Sequence, residues 1–522
     1  SFSLGANFIF LLQKQLRQNI KFFNVVTAGI ITAILLTFGG NLHTLYTFFT
    51  PYHNDSPVAP IELAFSPQTF PNQYWYPNAT RFIYHTIHEF PVYSFVVSDL
   101  HGHVLDIPAV LLMISVLLLF FLTPFTKSLK FFLRIILLGS LASIMYMTNA
   151  WDGLIYVGVA TFVIFIKITF QTKKIQFSKE LLLGLCTLFV SFIVISLPFS
   201  FFFKPFASQI GINCAPQALL NLGHFGPIVF EPGYCQTSPL WQLAILYGFF
   251  FFWFVSLAAF ITRAYRKTKQ TTSIDLFVLG MGILGFFLII IPEFVYLKDI
   301  YTTYFRANTM FKLVYQSFIL LSLVSGYSIY RIFSIFARDK KNIIKRLAVF
   351  CYTTMSIIML SLVLIYPYFA VMSYFNQLKN FQGLNGTVYL KKISPDDYRA
   401  VLWINQHIQG QPTMLEAQGD SYTDYERISS NTGLPTVFGW MVHEWLWRGT
   451  YDIVPQRIAD VKALYESPSI DETKTLLHKY NIAYVYIGDM ERSKYEKIDE
   501  KKFIQLGTVV YSSENVKIYK VY

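Results

Sequence analysis

A succession of apolar runs constrains this chain more than any other feature. A helix needs roughly 20 predominantly apolar residues to cross a bilayer's hydrocarbon core. Nine runs approach or exceed that length, at 22–40, 107–124, 131–148, 153–170, 181–203, 241–262, 275–292, 313–334 and 347–374. The run 241–262 carries no charge at all. A helix that is apolar on every face over such a length belongs in a membrane or at the centre of a large protein. Composition decides for the membrane. Only 14% of the 522 residues are charged and 54% are hydrophobic, and mean hydropathy is +0.44. A soluble enzyme, a disordered chain and a secreted disulfide scaffold are all excluded.

The loops between the runs alternate in charge. One set holds Lys14, Arg17 and Lys21, then Lys127, Lys130 and Arg134, then Lys167, Lys173, Lys174 and Lys179. It continues with Arg263, Arg266, Lys267 and Lys269, and ends with Arg331, Arg338, Lys340, Lys341, Lys345 and Arg346. The other set holds Arg81, Lys204, Lys298, Arg306 and Lys312. Basic residues gather on the cytoplasmic side, so the first set is expected inside. The second set and everything after about residue 375 are then outside, in the plasma (inner) membrane orientation. The net charge of +12 is therefore a topology signal, and no nucleic-acid partner is implied; membrane lipids are the expected surroundings.

The expected fold is mainly α: a polytopic membrane helical bundle of about nine spans with a small extracytoplasmic C-terminal α/β domain. Residues 1–20 read as the stub of an upstream membrane region, which implies an N-terminally truncated piece; a short interfacial anchor is the alternative. Residues 21–374 form the transmembrane domain, with external loops 41–106, 204–240 and 293–312. Residues 375–522 form the α/β domain. There Ser394-Pro395-Asp396-Asp397 is a helix start, with a capping Ser, Pro at the first position and acids in the first turn. Helices are expected to about His407, over 454–467 and over 471–480. Strands are expected at 413–417, 483–488, 507–512 and 515–521. Cys186 and Cys351 fall inside spans as inert packing residues. Cys214 and Cys235 share an external loop, where a disulfide is permitted. Asn78-Ala79-Thr80 and Asn385-Gly386-Thr387 fit the glycosylation sequon, a pattern frequent by chance.

Polar chemistry concentrates in RFIYHTIHEFPVYSFVVSDLHGHVLD, residues 81–106, which brings Glu89, Asp99, His101, His103 and Asp106 to the mouth of a span. Alternate residues of an extended segment share a face. Asp99, His101 and His103 would then offer a carboxylate and two imidazoles to a divalent cation such as Mg or Mn; a hydrogen-bonded polar collar is the other reading. Asp152, in Thr148-Asn149-Ala150-Trp151-Asp152, is either a second acid facing the same cavity or a helix cap. Arg81, Arg306 and Lys312 escape the charge bias and suit a phosphate. Ordinary ion pairing, Lys298 with Glu293 or Asp299, competes with that reading. In the C-terminal domain Trp440, His443, Glu444 and Arg448 could bind a sugar or polar head, or form a face docked on the membrane region.

TIHEFPVYSFVVSDLHGHVLDIP resembles a sequence of the "YYY" family of uncharacterised prokaryotic multi-pass membrane proteins, whose pattern is close to TINEFP-x-FSF-x-x-x-DLHPHV. TNAWD, PEFVYLKDIYTTYFRANTMFK and LEAQGDSYTDYERISSNTGLPTVFGWMVHEWLWRG match further family stretches in order. The resemblance covers essentially the whole chain. His-Gly-His stands where the family has His-Pro-His, and the family's Tyr-rich upstream part is missing. The resemblance implies kinship with GT-C-type glycosyltransferases, which use a polyprenyl-phosphate-linked sugar. Glu89, Asp99 and Asp152 would be the catalytic carboxylates, Arg81, Arg306 and Lys312 the phosphate grip, and Asp99, His101 and His103 the metal ligands. The face at 440–448 would roof the site. A lipid or polymer transporter, or a non-catalytic envelope assembly protein, is the alternative.

Overall fold

Each of the nine apolar runs forms a helix, because a backbone in lipid must satisfy its own hydrogen bonds. The computed structural model describes residues 1–53, 56–124, 128–172, 178–205, 207, 209–268, 271–299, 301–336, 343–381 and 383–521. The basic loop residues Lys127, Lys173, Lys174, Lys269, Arg338, Lys340 and Lys341 lie outside the described residues. The long helices are α1 (Phe2–Gln15), α2 (Phe22–Phe38), α3 (Ile107–Leu122), α4 (Leu129–Thr148), α5 (Ala150–Thr172), α6 (Lys179–Ser200), α7 (Leu240–Thr268), α8 (Ser273–Ile290), α9 (Ala307–Phe336) and α10 (Ile343–Tyr374).

Among the described residues seven of these are long and apolar enough to cross a membrane. An eighth qualifies if α2 and the 3-10 segment Leu42–Phe48, bent 69° from it, make one span. The expectation of nine spans is corrected at α3. Its 16 residues rise about 24 Å at ~1.5 Å each, short of a core ~30 Å thick. Pro108 opens it, and the extended Thr123 before Pro124 closes it, as a residue preceding proline tends to do.

Helix α9 is the central post, almost wholly buried along its length. Its Tyr315, Ile319, Leu320, Leu323 and Val324 belong to the main cores of the bundle. The N-terminal run packs into the bundle. It forms α1, whose buried Phe8 packs against Phe277 and Tyr327 with ring centroids 6.3 and 6.2 Å apart. Helices α6 and α10 turn broad apolar faces outward, including Val190, Ile193, Ile357 and Ile358; such faces suit lipid. Cys186 and Cys351 are exposed on these helices, so they are not internal packing residues.

Between the spans lies a small sheet of four short strands, β1 (Gln209–Ile212), β2 (His224–Phe225), β3 (Ile228–Val229) and β4 (Val295–Lys298), in the order β2-β3-β1-β4. Cys214 and Cys235 are joined by a disulfide beside it. Contacts divide the chain into two compact units. One is Ser1–Phe203 with Ala207–Lys379; the other is Asn380–Tyr522 with Lys204–Phe206.

The second unit is an α/β domain. Its strands β5 (Thr413–Leu415), β6 (Ile482–Ile487), β7 (Gly507–Ser512) and β8 (Lys517–Val521) are ordered β5-β6-β8-β7. The first pair is parallel and the other two are antiparallel. Helices Pro395–His407, Val454–Glu466 and Ile470–Lys479 stand where capping residues and apolar periodicity placed them. Arg427 is buried with Asp397 and Glu491 at 2.5 and 3.1 Å.

Two carboxyls of this unit resist ionisation. Burial raises Glu416 to about 7, although it accepts hydrogen bonds from the Ile428 and Ser429 amides. Burial, then Glu416 and Glu444, raise Glu426 to about 8. A carboxyl raised above its unfolded value near 4.3 binds its proton more tightly when folded. The stability it contributes is complete below that value and is lost as pH rises through the folded one. Chemical denaturation followed by Trp fluorescence is therefore expected to show this domain losing stability steadily from pH 4.5 to 8. Glu416→Gln should flatten that slope.

Candidate functional site

Phe90-Pro91 opens a short helix, Pro91–Val96, with proline at the position where its missing N–H costs least. The chain then reverses through Ser98, whose φ of 58° is left-handed, and the Asp99 amide donates back to the Ser94 carbonyl at 2.9 Å. His101 is the last extended residue before the one-turn helix Gly102–Leu105. Gly102 matters here by its lack of a side chain. A Cβ would stand 2.3 Å from the Thr148 carbonyl oxygen. The glycine thus lets this turn press against the α4–α5 connection.

The turn gathers three ligand types. Glu89, Asp99 and His103 each offer an atom, and these atoms lie within 4.8 Å of one another. Asp99 holds both imidazoles. His101 Nδ1 is bonded to Oδ1, and His103 Nε2 stands 3.3 Å from Oδ2. The extended D-x-H-x-H geometry expected from sequence is corrected, because the chain turns helical at Gly102. His101 is exposed and lies to one side, with its ring 6.1 Å from that of His103. Glu89 completes the close cluster in its place.

Cations border the group. Arg81 pairs with Glu89 at 2.6 Å, and its side chain is 42% exposed. Lys312 Nζ lies 3.2 Å from His103 Nδ1. That contact makes Nδ1 an acceptor and leaves the ring proton on Nε2, toward Asp99. Burial raises the Glu89 carboxyl, against the pull of Arg81. Burial also acts to raise Asp99, but the hydrogen bonds from His101 and His103 outweigh it and hold Asp99 well below the carboxylate range. The Asp99 bond raises His101, against burial. His103 is lowered by burial, with Asp99 opposing and Lys312 adding to the effect.

Arg306 does not join this group. It is fully buried, 3.0 Å from Glu293 and donating to Ser238 Oγ at 2.9 Å. Glu293 also accepts from the Ser238 amide at 2.9 Å. Such enclosure makes Arg306 a brace between segments. Lys298 pairs with Glu231 at 2.5 Å, which corrects the expected pairing with Glu293 or Asp299.

Asp152 occupies the first turn of α5, completely buried, with neither carboxylate oxygen hydrogen-bonded. Its neighbours are Asn149, Lys312, Asp106 and Gln316. Asp106 was visible at the span mouth. Gln316 was missed, although a lone amide one turn beyond Lys312 in an apolar run was the available signal.

Trp440, His443, Glu444 and Arg448 lie together in the second unit. His443 Nδ1 is 2.8 Å from Ser421 Oγ, and Arg448 Nε donates to Glu444. The Trp440 indole donates to the Tyr425 carbonyl at 3.1 Å and its ring lies 5.6 Å from that of Tyr422.

The model of the family described as Uncharacterized membrane protein (DUF2298) matches residues 1–281 and 257–321 of the chain. The chain belongs to that family. No curated protein matches it.

Removing one member of a buried ion pair costs about 3–5 kcal/mol, because the other charge is left uncompensated. Glu293→Ala is expected to lower stability on that scale by stranding Arg306. Thermal unfolding of detergent-purified protein measures it, and Lys462→Ala, which breaks an exposed helix-surface pair with Glu466, should change stability by less than about 1 kcal/mol.

Proposed function

We propose that this member of the uncharacterized membrane protein family is a GT-C-like glycosyltransferase. It would transfer a sugar from a polyprenyl-phosphate donor to an acceptor of the cell envelope. The observation that carries the reading is the Glu89–Asp99–His103 cluster flanked by Arg81 and Lys312. Acids and an imidazole suit a divalent cation, and the basic groups beside them suit a phosphate.

The donor set fits Mg or Mn in type, with one adjustment. A ligating His103 Nε2 must give up its proton, and Lys312 must then release Nδ1. Glu89, Asp99 and His103 would hold the cation, which would supply charge neutralisation at the leaving phosphate. The chain's own groups do the rest. Arg81 grips a phosphate oxygen with its exposed guanidinium, and Lys312 adds a positive charge behind it. The acceptor hydroxyl oxygen forms a bond to the anomeric carbon as the carbon–phosphate oxygen bond breaks. The polyprenyl phosphate leaves with the electron pair, and the hydroxyl proton passes to a carboxylate not engaged by the cation.

The same reading puts this face and the C-terminal domain outside the plasma membrane. Loop charge supports it, as does the Cys214–Cys235 disulfide, a bond rare where thiols are kept reduced. Lipid or polymer transport is the second reading. The 69° break between α2 and Leu42–Phe48 favours it, since broken helices line transport sites.

Native mass spectrometry of the detergent-released protein is expected to show a co-purified polyprenyl phosphate or its sugar-linked form. Asp99→Ala should weaken Mn²⁺ binding at least tenfold, on the scale of lost metal-site groups. Unchanged Mn²⁺ binding in that variant sinks the metal assignment. Bulk phospholipid alone, from protein that still binds Mn²⁺, moves the reading to transport.

A further inference from the structure

A second polar cluster lies one helical turn from the first, and nothing in the proposed transfer uses it. Asp106 is the residue before α3, Asp152 and Tyr156 are one turn apart on α5, and Gln316 is one turn beyond Lys312 on α9. The four side chains are buried: Asp106 is 1% exposed, and Asp152, Tyr156 and Gln316 are 0% exposed. Both carboxylates, the Tyr156 hydroxyl, both amide atoms of Gln316 and the buried Asn149 Nδ2 make no hydrogen bond of ordinary length, and Asp152 reaches Asp106, Asn149 and Gln316 only through longer polar contacts. The two carboxyls face each other, and Asp152 also faces Asn149 and Gln316. Tyr156 faces both acids.

Three ordinary explanations fall short. Native interiors rarely leave buried polar groups unpaired, so orphaned atoms converging from three helices are not packing noise. Helix N-termini favour the two carboxylates by up to about 2 kcal/mol each. The effective penalty for burying an unpaired ion is several kcal/mol, so the dipoles lose. Among the described residues Lys312 is the cation that faces Asp152, and its charge is shared with Asp99 and Glu89. Counting Arg81 as well, two cations face four carboxylates in these adjoining clusters.

We propose that Asp106, Asp152 and Gln316 form a binding site for a hard divalent cation, distinct from the Glu89–Asp99–His103 group. Two carboxylates cancel the charge of one such ion. The amide oxygen of Gln316 and the phenol of Tyr156 complete an all-oxygen set, with no nitrogen or sulfur donor. That chemistry selects Ca²⁺ or Mg²⁺ over softer metals. The site joins α3, α5 and α9, so filling it fastens the short helix α3 to the central post. The assignment stands whether or not the protein transfers sugars.

The test uses the whole chain in detergent, stripped with chelator, in the Asp99→Ala background that disables the first cluster. Added Ca²⁺ is expected to raise the melting temperature of that protein. Asp106→Asn and Asp152→Asn should each abolish the rise, and Gln316→Leu should weaken Ca²⁺ binding at least tenfold. If an aspartate variant does not fold, the Gln316→Leu titration decides alone. A melting temperature indifferent to both Ca²⁺ and Mg²⁺ overturns the proposal. Parent protein, with Asp99 intact, that binds no Mn²⁺ while the Ca²⁺ response is retained would count against the transferase reading and leave this one standing.

Discussion

A helix buried along nearly its whole length can carry charge only where a neighbour answers it. Helix α9 meets that condition along its length. Just before it, Arg306 meets Glu293 and Ser238. Within it, Lys312 meets His103. Near its other end Asp275 accepts from both Arg331, at 3.1 Å, and Tyr327, at 2.6 Å. Each partner comes from a different element, so each answered charge also fixes a neighbour's position. Dispersion packs the bundle, but apolar surfaces in lipid slide past one another at little cost. Buried polar pairs give the packing a register.

This explains why the fold was largely legible in the sequence while the site was legible only in part. Span location follows from one-dimensional apolar content, and helix starts in the C-terminal domain follow from local capping chemistry. Both signals reside in consecutive residues. Helix α3 escaped because the run 107–124 is apolar enough, yet Pro124 cuts it to 16 residues. Partner choice is a different kind of fact. Lys298 had Glu293 and Asp299 nearby in sequence, but β4 pairs with β1 and carries Lys298 to Glu231. Arg306 read as a free cation until its complete burial against Glu293 showed otherwise.

The acid and histidine cluster shows the same divide at closer range. Asp99, His101 and His103 were chosen by a period of two, which holds only for extended backbone. Gly102 starts a helical turn instead, and the close approach it permits swings His103 inward while His101 stays at the surface. Glu89 enters from ten residues upstream through the reversal at Ser98. Residue type is legible in the sequence because chemistry selects it; which of these side chains come together is set by backbone direction.

Lys312 ties the two acidic clusters into one electrostatic unit. It touches His103 and faces Glu89, Asp99 and Asp152. Unit charges 4 Å apart at an effective dielectric near 20 interact by about 4 kcal/mol. A positive charge placed in either cluster would therefore repel the ammonium toward the other. Phe311 lies beneath the ammonium, with Nζ 4.4 Å from the ring centre. Movement toward Asp152 frees His103 Nδ1 for the proton that a ligating ring must carry there. A cation in the first cluster would thus need what the second cluster can supply: a place for the lysine to go. A second cation beside Asp152 would contest that place, so the occupancies of the two clusters oppose each other through a single side chain.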